Sequence, residues 1–389
     1  MRIVHISYSD SSGGASYIAR ELQGMDVAAG MQSYLLVADK SCSAEGVLQF
    51  AGYRRRRRIA NALVQRVLVP LFARNKTITN SLSCLPTDAV DQINELKPDL
   101  VHIHWPNGEL FSLSQISAIQ ASIVWTLHDN WVCNALAHHS VRTFDDCWDE
   151  DYRHSSVLKF FYLNYKLPQL AKHHSMTFVA PSQWSAMQYK SSPLAKCFPV
   201  EVIPNGIDRE IFALEEISQE KTGASDSEFN VAFGAFSSSA AKGGALFSSV
   251  VKVFGDANFF SIGGGVIEGV QHLGFLSRER LAEKLLNIDC LLLPSHVESF
   301  GLLACEAISA GCPVICFAGT GCDEFVVNGV NGYLVEYSED PINDFVACLN
   351  ELRALALDRK RVSESVKEYT LSNMWLGYQE LYDRVYSNG

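Results

Sequence analysis

The chain has 389 residues, 48% of them hydrophobic and 19% charged, with a formal net charge of −11. That length exceeds one ordinary hydrophobic core and implies two domains, and the acidic balance argues against a nucleic-acid partner. No stretch reaches the roughly 18 uninterrupted apolar residues of a membrane span, and the opening MRIVHISYSD reads as a buried strand rather than a signal peptide.

In chain order, Arg2–Tyr8 is a β-rich apolar run, Gly13-Gly14 a turn, and Ala15–Ala29 a helix that Gly30 ends. Ser33–Ala38 is a second strand. No acidic residue lies between Glu45 and Asp88, while Arg54 to Arg58, Arg66, Arg74 and Lys76 are basic and flank the largely apolar Ile59–Phe72. A basic block beside an apolar segment is the pattern of a membrane-surface helix, so an anionic membrane is an expected partner. Leu100–Trp105, Ser122–His128 and Met176–Ala180 are short strands, apolar on both faces as a parallel sheet requires. His102 and His104 alternate on one of them and read as structural. Eleven scattered cysteines suit free thiols in a reducing cytoplasm. Cys133, His138, His139 and Cys147 match no standard zinc spacing and read as loop residues.

Pro199–Asp208 ends this series, and the polar Ser218–Ser227 precedes a second one: Asn230–Phe236, Asn258–Gly263, Cys290–Pro294, Pro313–Phe317 and Tyr333–Glu336. Alternating strands and helices make the fold class α/β, with two doubly wound domains. Residues 1–200 form the first, 201–370 the second, and 371–389 a helix packing back on the first. Ligands of such sheets bind outside the carboxyl ends of the strands.

The richest segment is Pro294–Pro313 (PSHVESFGLLACEAISAGCP). A strand ends at Pro294, a loop carries Glu298, and a helix opens near Gly301 and carries Glu306. Backbone N–H groups of Gly301, Leu302 and Leu303 at that helix start suit an anionic oxygen, and a diphosphate fits. Each glutamate suits the paired hydroxyls of a sugar ring. The residues alone leave a plainer reading open, with Glu298 as a helix cap and Glu306 in a surface ion pair. Gly263-Gly264-Gly265 has the wrong spacing for a dinucleotide fingerprint and reads as a tight turn.

Glu298-x7-Glu306, with SFG after the first glutamate and EA-x3-G-x-PV around the second, resembles the signature of family 4 glycosyltransferases. Gly13-Gly14, Pro98–Trp105, TLHD at Thr126–Asp129, Pro181-Ser182, Ile203–Asp208, Lys242-Gly243 and Asn328–Leu334 match further family segments in the expected order. Val124–Trp131 is most similar to enzymes of bacterial exopolysaccharide and colanic-acid-type assembly. The resemblance implies a GT-B fold, two Rossmann-like domains facing across a cleft, and a retaining, metal-independent hexosyltransferase without cofactor. Its donor would be a nucleotide sugar, UDP-sugar first and GDP-sugar next. Its acceptor would be a growing, lipid-linked oligosaccharide, reached from the cytoplasm at the inner face of the plasma membrane.

By the same resemblance, Glu298 binds the donor sugar, Glu306 the ribose, and Lys242 neutralises the leaving diphosphate with the amides of Gly14, Leu302 and Leu303. His128 touches the donor sugar. The family commonly carries an arginine at the strand end before that lysine, where this chain has Ala235. Ser237, Ser238 and Ser239 offer hydrogen bonds there but no charge, which leaves a catalytically weak or inactive nucleotide-sugar-binding protein as the alternative. An epimerase or phosphorylase of the same fold is a third reading.

Overall fold

The computed structural model describes residues 1–51, 56–72, 79–139, 157–214, 229–235 and 240–388. They divide into two compact units, one of residues 1–139, 157–204 and 374–388, the other of residues 205–214, 229–235 and 240–373. Arg54, Arg55, Arg74, Lys76, Cys147, Ser218–Ser227 and Ser237–Ser239 lie outside the described residues.

The first unit holds seven strands: β1 (Arg2–Ser9), β2 (Gln32–Asp39), β3 (Val47–Gln49), β4 (Leu100–Trp105), β5 (Ser122–Thr126), β6 (Met176–Ala180) and β7 (Val200–Val202). Their order is β3-β2-β1-β4-β5-β6-β7, and each neighbouring pair is parallel. From β1 the chain winds outward to β3, then returns beside β1 as β4 and winds the other way. The direction therefore switches between β1 and β4, where open α/β sheets bind ligands. Central strands are buried on both faces, with Ile3, Val4, Ile6, Val101, Ile103, Ile123 and Val124 at 0% exposure.

The second unit repeats the plan with β8 (Asn230–Ala235), β9 (Asn258–Gly263), β10 (Gln271–Gly274), β11 (Cys290–Leu293), β12 (Val314–Phe317) and β13 (Gly332–Val335). Their order is β10-β9-β8-β11-β12-β13, all parallel, so the switch falls between β8 and β11. Both sheets are thus α/β and Rossmann-like. Strands β3 and β10 escaped the sequence reading because three or four edge residues show no period. β7 lies inside Pro199–Asp208, and because Val200 pairs with Phe178 the first unit runs beyond residue 200.

The final helix, Leu371–Asn388, packs within the first unit from Met374 onward. Met374, Tyr378, Leu381, Tyr382 and Val385 recur on one face at helical spacing and are all buried. The Tyr382 hydroxyl meets Nδ1 of His102 at 2.6 Å, and that of Tyr378 meets Thr126 Oγ1 at 2.7 Å. Truncating Tyr382 to alanine should therefore open a cavity and strand a buried histidine. A loss of about 3–5 kcal/mol is expected, as for other large aromatics cut to alanine. Urea unfolding followed by intrinsic fluorescence measures it, and an unchanged midpoint would mean the helix contributes little.

Candidate active site

In the second unit, the turn Ala240–Lys242 follows β8 and the loop 295–299 follows β11. The His296 N–H donates to the Ala241 carbonyl at 3.0 Å and joins the two. Gly243 adopts a left-handed backbone, φ 73°. A Cβ there would lie 1.9 Å from the Pro294 carbonyl oxygen, so a larger residue could not approach the strand end. This close approach brings Lys242 to Glu298, whose Oε1 accepts from Nζ at 2.6 Å. Both side chains are mostly buried, 26% and 18% exposed, so solvent screens the pair only in part.

Three residues on, Gly301 caps the helix Leu302–Ser309 in a left-handed conformation, φ 92°, and being glycine it supplies no side-chain cap bond. A Cβ on it would lie 2.5 Å from Cys322 Sγ. Glu298 is therefore not a helix cap. The first-turn N–H groups of Leu302 and Leu303 lack intrahelical partners and carry the positive end of the helix dipole. A cation, a carboxylate and an uncapped helix start thus converge within one stretch of the carboxyl edge, between the two strands flanking the switch.

Glu306 lies on the same helix, only 4% exposed. Burial pushes its carboxyl up, and the Arg278 guanidinium opposes that by donating to it as an ion-pair partner. The pair is buried at Glu306, not the surface pair of the plainer reading. Arg278 opens the helix Arg278–Leu285 and its guanidinium lies 5.0 Å over the Phe212 ring. Sequence reasoning missed Arg278. One signal existed: a cation at a helix start faces the positive end of the dipole and calls for a partner.

In the first unit, Gly13 and Gly14 open the helix Gly13–Ala28 beyond β1. Asp10, in the preceding turn, accepts from the Ser41 hydroxyl at 2.7 Å and from the Cys42 N–H at 2.8 Å. Burial alone would raise its carboxyl, but these donors outweigh burial and hold it at about 2. His128 follows β5 and lies partly buried, with Nε2 3.1 Å from Nδ1 of His104. Burial lowers His128 to about 4, against an opposing pull from Asp129, so its ring is neutral at pH 7. Asp129 accepts from Trp105 Nε1, the Trp131 N–H and His138 Nδ1 at 2.8, 2.9 and 2.6 Å. Burial raises Asp129, yet His138 and these bonds hold it far below the usual carboxylate range. His102 and His104 are buried as expected, but His104 bonds the candidate site residue directly. His138 is committed to Asp129, and burial pushes the Cys133 thiol up to about 12.

Residues 12–211 match Glycosyltransferase Family 4 and residues 264–369 match Glycosyl transferases group 1. The chain belongs to glycosyltransferase family 4, and its fold is GT-B. An uncharacterized glycosyltransferase of Methanocaldococcus jannaschii is 28% identical over 47% of this chain, which spans 53% of that relative's length. Sucrose-phosphate synthase from Thermosynechococcus elongatus superposes with a TM-score of 0.71 at 16% identity, covering 100% of both chains. HepE from Anabaena, in complex with UDP and glucose, gives 0.65 at 16% identity, covering 98% of this chain and 99% of that one.

Replacing Arg278 with alanine should leave Glu306 buried and unpaired. Breaking a buried pair costs about 3–5 kcal/mol, and the lower end is expected because Arg278 is 26% exposed. A carboxyl raised by burial binds its proton more tightly folded than unfolded. The penalty should therefore grow as pH rises above the ordinary carboxyl value of 4.5 toward neutrality. Denaturant titrations at pH 4.5 and 7 measure this; a pH-independent loss would contradict it.

Proposed function

We propose that the protein is a retaining transferase that moves a sugar from a nucleotide diphosphate, UDP-sugar first and GDP-sugar next, to a growing lipid-linked oligosaccharide of cell-surface polysaccharide. The Lys242–Glu298 pair beside the uncapped Gly301 helix carries this reading. As the donor bond breaks, negative charge gathers on the diphosphate, and fixed cationic and N–H donors lower that barrier most. Lys242 with the amides of Leu302 and Leu303 supplies them, so no metal is required. Glu298 takes the sugar hydroxyls, and Glu306, oriented by Arg278, takes the ribose. At the carboxyl edge of the first sheet, Gly13-Gly14 and His128 have the phosphate and sugar roles that the family resemblance implies. The family membership and the complex of HepE with UDP and glucose support the donor class.

One observation favours the alternative of binding without turnover. Ala235 closes β8, nearly buried and without charge, where the family resemblance expects arginine. Donor turnover separates the two readings. Lys242→Ala should slow turnover about 10–150-fold, the equivalent of one charged hydrogen bond worth about 1.5–3 kcal/mol, with a smaller change in donor affinity. Glu298→Ala should abolish transfer and spare UDP binding, whereas Glu306→Ala should weaken UDP binding itself. Equal UDP affinities in the two glutamate variants would sink that division, and inhibition by EDTA would contradict a metal-free mechanism.

The protein is further proposed to work peripherally on an anionic membrane face, from the cytoplasm. The helical segments Arg56–Leu63, Val64–Leu68 and Val69–Phe72 run consecutively and expose Ile59, Leu63, Val67 and Leu71 by 51–64%, four residues apart. The neighbouring helix Val157–Ala171 adds exposed Phe161 and Tyr165. Each basic residue near an anionic leaflet contributes on the order of 1 kcal/mol, screened by salt. Binding to phosphatidylserine vesicles should fall as salt rises and be weak on phosphatidylcholine. Serine at Arg54 to Arg58 should lower vesicle binding while sparing UDP binding. Indifference to anionic vesicles at low salt would remove this proposal.

A further inference from the structure

Three buried residues of the first unit and the partly buried His128 form one hydrogen-bonded line. Asp26 Oδ2 lies 2.8 Å from His5 Nε2, His5 Nδ1 lies 3.1 Å from His104 Nε2, and His104 Nδ1 lies 3.1 Å from His128 Nε2. Asp26, His5 and His104 are at most 1% exposed. A neutral imidazole has one donor and one acceptor nitrogen, so a choice at one end of such a line propagates to the other.

Asp26 makes that choice. Its Oδ1 accepts from Trp375 Nε1 at 3.0 Å and from Gln379 Nε2 at 3.2 Å, and its Oδ2 accepts from the Ser33 hydroxyl at 3.0 Å as well as from His5. A carboxylate accepts only, so His5 carries its proton on Nε2 and offers Nδ1 as acceptor. His104 then donates from Nε2 and accepts at Nδ1, and His128 donates from Nε2. We infer that Asp26, acting through His5 and His104, fixes the proton of His128 on Nε2 and so makes its Nδ1 a hydrogen-bond acceptor.

Burial keeps the rings of His104 and His128 uncharged, which preserves the one-donor, one-acceptor rule at those two rings. The ring nitrogens of His5, His102 and His104 are close enough to suggest a metal cluster. Each of the six already has a hydrogen-bond partner, however: Asp26, Tyr382, Thr126, His128 and, between His5 and His104, one another. A cation would have to break these bonds, so the relay is the reading the geometry favours. Asp26, His5 and His104 are positioning residues. Resting on the proposed function, the inference adds that His128 accepts a hydrogen bond from a sugar hydroxyl rather than donating one.

Asp26→Asn gives a directional test. Trp375 Nε1 can only donate, so the asparagine must turn its oxygen toward Trp375 and its NH2 toward His5. His5, His104 and His128 should then all reverse, placing the His128 proton on Nδ1. Two-bond 1H–15N correlation on the full-length chain labelled with 15N-histidine distinguishes the two ring forms, with His128→Gln assigning the signal. The expected result is an Nε2 proton in the wild type and an Nδ1 proton in Asp26→Asn. Sugar turnover should fall about 10–100-fold, the range found when a metal-bound histidine loses its outer partner, while UDP affinity stays within twofold. An Nδ1 proton in the wild type overturns the inference, and that measurement stands even if the variant does not fold. An unchanged Nε2 proton in folded Asp26→Asn overturns it too. A wild type that shows the Nε2 proton but transfers no sugar would count against the proposed function alone.

Discussion

A parallel strand can be followed by another only if the chain returns to the starting edge, so all carboxyl ends gather on one side of the sheet. Each unit of this protein obeys that constraint, and its chemistry is placed accordingly. In the second sheet the ends of β8 and β11 flank the switch in winding direction, and these ends carry Lys242 and Glu298. In the first sheet β1 and β4 flank the switch, with the Gly13-Gly14 turn beyond β1, His104 near the end of β4 and His128 just past the end of β5. Candidate site residues far apart in sequence meet because register, not proximity along the chain, decides their neighbours.

Glycine sets how close these loops approach. The Lys242 turn reaches β11 only because Gly243 has no Cβ to meet the Pro294 carbonyl, and the helix Leu302–Ser309 starts abruptly because Gly301 holds a backbone that other residues avoid. An abrupt start without a side-chain cap leaves N–H groups pointing outward, which is an unfavourable end for an isolated helix and a favourable one for an anion. Local cost and binding capacity have the same origin here.

Much of this was legible in the sequence. The long apolar strands, the glycine turns and the Glu298–Glu306 motif each leave a local pattern, and the family resemblance ordered them. What stayed hidden depends on pairing across the fold. Arg278 looks like an ordinary helix residue until its neighbour Glu306 is known. His102 and His104 read as structural because alternation on a strand says nothing about what faces it; the β1–β4 register sets His5 opposite His102, 97 residues apart in the chain. Asp26 on the first helix carried no signal at all, since its four donors come from β1, β2 and the C-terminal helix.

In the proposed function, the start of the Gly301 helix, with Lys242, holds the diphosphate of a nucleotide sugar. Titration of 15N-labelled protein with UDP, following the backbone amides of Leu302 and Leu303, tests it most directly. Large, saturable shifts of both amides that track occupancy, and that are reduced in the Lys242→Ala protein, are the expected result. UDP that binds while both amides stay unmoved would contradict it.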